Sequence, residues 1–341
     1  MKYIFELNHP KHYYQFKFIM RQLLSKGHEI RVLARNKDML LNVLNQENID
    51  YEIFGLHRKN IVAKIIETPK LLWNYYRLIK RYRPDIIISK ASFYGCAIAK
   101  IVGAKSVIFP DSEVVKVTNH YVVPLASLVV TPSTFGLDYG KKHKRVKGFF
   151  ENCYLSPSVM EEKGNFSSDN LGLKPPYAIL RFVGWYANHD TKNNGLSLEE
   201  KKKIIHVIEP YMNVYISSEK LLPEDLKIYQ LPTPSNKIHQ VLSGADLYIG
   251  DSQTMATEAA LLGVPAIRTN SFVGPNDMTN FVILEKQYGL LKNIRTFDNL
   301  LVTIYEMIKH PKKKEWIQKK NAYFAHVGDI NNEIIHILES L

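Results

Sequence analysis

The chain has 341 residues, of which 45% are apolar and 23% charged, with a formal net charge of +12. That composition excludes a disordered chain, and the length suits two ordinary domains, each with its own core. The positive balance favours phosphate-bearing partners without choosing among nucleic acid, nucleotide sugars and an anionic membrane surface.

Short apolar strands alternate with helical spacing through the first half. Residues 3–7 predict a strand, Asn8-His9-Pro10 a turn, and residues 13–25 a helix that stops at Gly27. Strands follow at 29–34 and 50–54, with a helix at 38–45 between them. Buried strands at 85–89 and 106–109 flank a helix at 94–102, and another strand falls at 128–131. Residues 117–137 carry no Asp, Glu, Lys or Arg, but Asn119, His120, Pro124 and Pro132 favour buried strand and helix over a membrane span. The opening apolar run is too short for a signal peptide, so a cytoplasmic protein is expected, peripheral on the inner membrane face at most. The two cysteines, Cys96 and Cys153, stand in no motif and read as structural thiols of a reducing compartment.

Residues 148–170 break the alternation with proline, glycine and small polar residues, as a linker does. It then resumes: strands at 177–182, 213–217, 228–231, 246–250 and 266–268, helices at 198–208, 237–243, 255–262 and 276–287. Helices at 298–309, 312–323 and 330–341 close the chain. The expected fold is α/β, two doubly wound Rossmann-like domains facing each other across a cleft. Their bounds are 1–155 for the first domain, 156–174 for a linker and 175–322 for the second. The closing segment 323–341 is expected to pack back on the first domain.

The most informative stretch runs from Ala245 to Pro265. A strand ends at Gly250, the small polar turn Asp251-Ser252-Gln253-Thr254 follows, and a helix begins. Free backbone N–H groups at a helix start can hold a diphosphate, with hydroxyls from Ser252 and Thr254 and close approach at Gly250. Glu258 lies one turn further, where a carboxylate can accept hydrogen bonds from ribose hydroxyls. Arg268 would project from the next strand end toward the anion. The plainer alternative is that Ser252 and Thr254 only cap a helix.

The pattern Gly-Asp-Ser-Gln-Thr-Met-Ala-Thr-Glu-Ala-Ala-Leu-Leu-Gly-Val-Pro-Ala-Ile-Arg over 250–268 resembles the DUF354 family of the GT-B superfamily. Its neighbours there are MurG-type glycosyltransferases and the non-hydrolysing UDP-N-acetylglucosamine 2-epimerases. Residues 1–35, 147–155 and the run Arg181-Phe182-Val183-Gly184-Trp185-Tyr186-Ala187-Asn188-His189-Asp190 carry the same resemblance. It implies a GT-B fold, a ribose contact for Glu258 and a diphosphate contact for Ser252-Gln253-Thr254. The epimerase relatives carry a Thr-x-His-Arg-x-Glu-Asn motif where this chain has His189 with no Arg-x-Glu-Asn after it.

Three residues are candidate catalytic groups: His9, Asp111 and His189. His9 directly follows the first strand, where an imidazole can act as general base toward an acceptor hydroxyl. Asp111 and Glu113 end another buried strand, as an alternative base or as turn formers. Ser89-Lys90-Ala91-Ser92 can bind an acceptor or phosphate, or cap the next helix. Arg181 sits inside an apolar strand, where a charge must serve a site or pair with Asp190 or Glu258. No metal is expected, because no ligand spacing or Asp-x-Asp occurs, and no cofactor beyond a nucleotide-sugar donor acting as substrate. The segment from Arg58 to Arg83 interleaves basic and aromatic residues, which suits an anionic membrane surface or an ordinary solvated helix.

The reading these features favour is a glycosyltransferase. It would move a sugar from a UDP-type donor to a glycan or polyprenyl-linked acceptor in surface-polysaccharide assembly. The alternatives are a nucleotide-sugar epimerase or hydrolase and, ranked below it, a nucleic-acid-binding protein. No nucleic-acid module is recognisable.

Overall fold

The computed structural model describes residues 1–36, 38–56, 61–162, 168–169, 171–182, 196–218, 221–275 and 277–341. They divide into two compact units, Met1–Tyr154 with Asp329–Leu341, and Leu155–Gly328.

The first unit begins β1 (Lys2–Leu7), α1 (Pro10–Ser25), β2 (Glu29–Asn36), α2 (Asp38–Gln46), β3 (Glu52–Leu56) and α3 (Ile61–Tyr82). It continues β4 (Ile86–Ser89), α4 (Phe93–Val102), β5 (Lys105–Ile108), β6 (Leu128–Pro132) and β7 (His143–Val146). The seven strands form one parallel sheet in the order β3-β2-β1-β4-β5-β6-β7. The central strands are buried along their length, as parallel strands covered on both faces must be. Pro10 opens α1 at a position where its missing N–H costs nothing, and Gly27, with φ +82°, turns the chain back toward β2. On α3, Leu71, Tyr75 and Ile79 share the buried face and leave Lys70, Trp73, Arg77 and Lys80 exposed.

The uncharged stretch forms a π-helical turn at Thr118–Val122, a 3₁₀ turn at Val123–Leu125, and β6. Val122, Val123 and Ala126 pack with Cys96, Ile108 and Val129. Among the described residues no helix is long and apolar enough to cross a membrane.

Two short helices, α5 (Asn152–Leu155) and α6 (Pro157–Glu162), join the units along the chain. The second unit then runs β8 (Tyr177–Arg181), α7 (Leu198–Ile208), β9 (Asn213–Ile216), α8 (Ile238–Gly244), β10 (Leu247–Gly250) and α9 (Gln253–Leu261). It ends β11 (Ala266–Arg268), α10 (Thr279–Lys286), β12 (Lys292–Asn293), α11 (Phe297–Lys309) and α12 (Lys313–Val327). Its five strands are parallel in the order β12-β11-β10-β8-β9. Helix α13 (Ile330–Glu339) returns to the first unit. There Glu339 meets Lys26 at 2.8 Å, and Asn331 Nδ2 donates to the Cys153 carbonyl at 3.0 Å.

The predicted strand at 228–231 is instead a 3₁₀ turn, Glu224–Tyr229, followed by a single bridge from Gln230 to Ile216. Ile228 is 84% exposed, so its β-branched side chain marks no core position. Strand β7 was not expected: His-Lys-Arg-Val buries only its last residue and pairs along one edge, so hydrophobic periodicity does not mark it.

Candidate functional site

In a doubly wound sheet, ligands bind outside the carboxyl ends of the strands where the strand order reverses. In the second sheet that point lies between β8 and β10, and in the first between β1 and β4. Both are where chemistry-bearing side chains collect.

At the second sheet's switch point, β8 delivers Arg181 and β10 delivers the Gly250-Asp251-Ser252 turn. The two are tied by the Asp251 amide donating to the Arg181 carbonyl at 3.1 Å. Ser252 is the N-cap of α9, its Oγ accepting from the Met255 amide at 3.4 Å. The capping alternative therefore holds for Ser252, and the first-turn amides of the helix it starts have no partner within the helix itself. Asp251, Ser252, Gln253 and Thr254 are all half-buried, as a lined corner requires. Arg181 Nη1 lies 3.5 Å from Ser217 Oγ, at the end of β9.

The space that a Gly250 side chain would take is filled by protein. A Cβ there would collide with the Arg181 carbonyl and lie 2.6 Å from the Tyr248 hydroxyl. The missing side chain admits neighbouring protein atoms, which corrects its expected role.

Arg268 needs a similar correction. It is fully buried, and its guanidinium grips Asp277 with two bonds of 2.8 Å, Asn293 Oδ1 at 2.6 Å and the face of Phe281 at 3.7 Å. A fully buried cation neutralised in this way acts as a structural brace, not as a surface ligand for an anion. It braces the turn through Asn270, which accepts from Arg268 Nη2 at 3.4 Å and donates to the Asp251 carbonyl at 3.2 Å.

Glu258 is 6% exposed, and its Oε1 lies 3.2 Å from Nε2 of His239, itself 5% exposed, on α8. Lys201, 7% exposed on α7, places its ammonium 5.6 Å from the Phe182 ring. Burial pulls the Lys201 pKa down, against the carboxylate of Asp251, which raises it. Sequence reasoning missed both residues, although each occupies an apolar helical position. Lys201 shares its stripe with Ile204, Ile205 and Ile208, and a polar group on such a stripe demands a partner.

At the first sheet's switch point, β1 leads into His9 and β4 into Lys90. His9 caps α1, its Nδ1 accepting from the Lys11 amide at 3.2 Å. His12 Nδ1 accepts from the Asn8 amide at 3.2 Å. An imidazole that accepts at Nδ1 carries its proton on Nε2, so both rings offer a donor there. Burial, reinforced by Lys90, holds the His12 pKa well below its ordinary value.

Asp111 joins two lysines, Lys11 at 3.1 Å and Lys90 at 3.3 Å. Lys11 also meets Glu151 at 3.1 Å, and Lys90 donates to Gln15 Oε1 at 2.8 Å and sits 4.3 Å from the Phe150 ring. Burial pushes the Asp111 carboxyl up, but Lys90 and Lys11 outweigh it and hold it well below the usual carboxylate range. A carboxylate with so little proton affinity is a poor general base at neutral pH, so its expected catalytic role gives way to that of counter-ion. Glu113 accepts from the Gly136 amide at 2.6 Å, as a loop former does. Ser92 caps α4, its Oγ accepting from the Gly95 amide at 3.0 Å. His189 and Asp190 lie outside the described residues. Among those described, no three His, Cys, Asp or Glu side chains group as metal ligands.

Two parallel sheets, each with its own switch point and joined in one chain, define a protein of the GT-B fold. The likeness to solved GT-B structures spans the chain. UDP-GlcNAc 2-epimerase from Methanocaldococcus jannaschii is 16% identical with a TM-score of 0.68, and MurG from Acinetobacter baumannii 17% identical with a TM-score of 0.60. Each comparison covers 100% of both chains. The chain belongs to the family described as "Protein of unknown function (DUF354)", whose model matches residues 2–316. A curated relative, uncharacterized protein MJ0665 of Methanocaldococcus jannaschii, is 21% identical over 277 residues, 77% of this chain and 80% of that protein.

Proposed function

We propose that the chain is a GT-B glycosyltransferase that moves a sugar from a nucleoside diphosphate donor, a UDP-sugar, to a glycan or polyprenyl-linked acceptor in surface-polysaccharide assembly. The observation that carries this reading is the α9 corner. A capped helix start stands at a switch point, with a buried carboxylate, Glu258, one turn behind it on the same helix. The first-turn amides of Gln253 and Thr254 and the positive end of the helix dipole suit a diphosphate. They suit still better the charge that grows on it as the glycosidic bond breaks. Arg181 and Lys201 add cationic charge near that corner, and Glu258 accepts from the ribose.

In the first unit the acceptor is activated at His9. Its capping bond to the Lys11 amide must first open, because the ring as held carries a proton on Nε2. The outward face of α3, with Lys70, Trp73, Arg77 and Lys80 exposed, supports peripheral contact with an anionic membrane.

A thermal-shift series with UDP, TDP, GDP and ADP tests the donor site. A ligand present at about 100 times its Kd adds about 2.7 kcal/mol of stability. No shift with any of the four sinks the nucleotide reading. Turnover of UDP-N-acetylglucosamine without an acceptor would replace the transferase with the epimerase or hydrolase alternative.

A further inference from the structure

We propose that His239 is a positioning residue for Glu258, and that the pair makes the second unit select ribonucleotides over 2′-deoxyribonucleotides. This rests on reading the α9 corner as a nucleotide site. The inference begins from burial. Glu258 stands in the buried stretch of α9 with Ala256, Ala259, Ala260 and Leu261, whose side chains offer no donor. Thr257 turns its hydroxyl back to the Gln253 carbonyl at 3.2 Å. A carboxylate withdrawn from water needs a donor from elsewhere. His239 of α8 supplies one, Nε2 to Oε1 at 3.2 Å, from a residue that is itself 5% exposed.

The consequence is orientation. A glutamate side chain loses substantial rotamer freedom when fixed, and the imidazole fixes this one before a ligand arrives. The imidazole takes one of the roughly four acceptor sites of a carboxylate. With Oε1 anchored, the carboxylate plane is set for the paired hydroxyls of a ribose. A 2′-deoxy sugar leaves one acceptor unmatched, and sites built around a hydroxyl reject the analogue that lacks it.

The test is calorimetric titration of UDP and 2′-deoxy-UDP into the full chain, as wild type, H239Q, H239N and H239L. A glutamine amide can occupy the place of Nε2, whereas an asparagine amide falls short of it. Wild type is expected to favour UDP by roughly tenfold. H239L and H239N are expected to lose that preference by weakening UDP alone, with 2′-deoxy-UDP binding within about twofold of wild type. H239Q is expected to restore most of it. Equal weakening of both nucleotides would show a merely structural histidine, and a preference retained in H239L or H239N would also overturn the inference; either result leaves the nucleotide site standing. A folded wild type that binds neither nucleotide overturns the site and the inference together. The paired leucine and asparagine variants keep the test decisive if one of them fails to fold.

Discussion

The Arg268–Asp277 pair offers the sharpest quantitative test of how the second unit is built. Arg268 has no exposed surface, and the side chain of Asp277 is 3% exposed. Replacing Asp277 by alanine removes both 2.8 Å bonds and the carboxylate that neutralises that guanidinium. It also removes the acceptor of the Met278 amide, at 2.8 Å. Stranding one member of a buried ion pair costs about 3–5 kcal/mol. For a unit the size of Leu155–Gly328, each kcal/mol lowers the melting temperature by about 2–4 °C, so D277A should melt about 6–20 °C below wild type. R268M/D277A removes the stranded charge, and its loss should fall short of the sum of the single losses by about 1–3 kcal/mol. Far-UV circular dichroism of the full chain reads both. A D277A loss under about 1 kcal/mol, or strict additivity in the double variant, would refute the claim that Arg268 is a structural brace.

Three further outcomes follow from the first unit. H9N keeps a side chain that caps α1 well but has no imidazole, so its melting temperature should stay within about 2–4 °C of wild type while kcat falls roughly 10²–10⁴-fold. Unchanged turnover would remove His9 from the chemistry. The Asp111 carboxyl is depressed on folding, so its contribution is present in full above its unfolded value of about 3.9 and is lost as pH falls below that toward the folded value. The gap in urea midpoint between wild type and D111N should therefore be constant from neutrality to about pH 5 and narrow below about pH 4; a gap that does not narrow contradicts the pairing. W73S/R77S should weaken sedimentation with vesicles rich in phosphatidylserine and leave neutral vesicles unaffected; equal binding to both by wild type would dismiss the α3 face.

Much of the fold was legible because parallel strands buried on both faces must be nearly continuous apolar runs. Ile86–Ser89 and Leu247–Gly250 announce themselves in that way. The elements that escaped have no such constraint. Strand β7 exposes Lys144 and Arg145 at a sheet edge, and β12 has two residues. Strand order, and hence the position of the switch points, depends on tertiary pairing that no local pattern encodes. The sequence did place His9, Ser89-Lys90 and Asp251-Ser252 after strands, and the topology then gathers each set at one edge.

What a residue does there is a different matter, because strand and helix periods fix its position but not its partner. Arg268 looked like an anion ligand, for a charge at a strand end in a nucleotide-type corner usually has a use. The chain supplies Asp277 nine positions later to neutralise it, at a spacing no local motif marks. Gly250 looked like an opening for a ligand, yet β8 and the Tyr248 hydroxyl use the space. His239 lies in a short helix and matches no motif, and α8 packs it beside Glu258. In each case the decisive neighbour comes from another element, so the physical rule that a buried charge needs a partner predicts that a partner exists and leaves its identity to the fold. The residues most informative about chemistry are thus polar groups on apolar stripes, such as Lys201 and His239, more than those that match a turn motif.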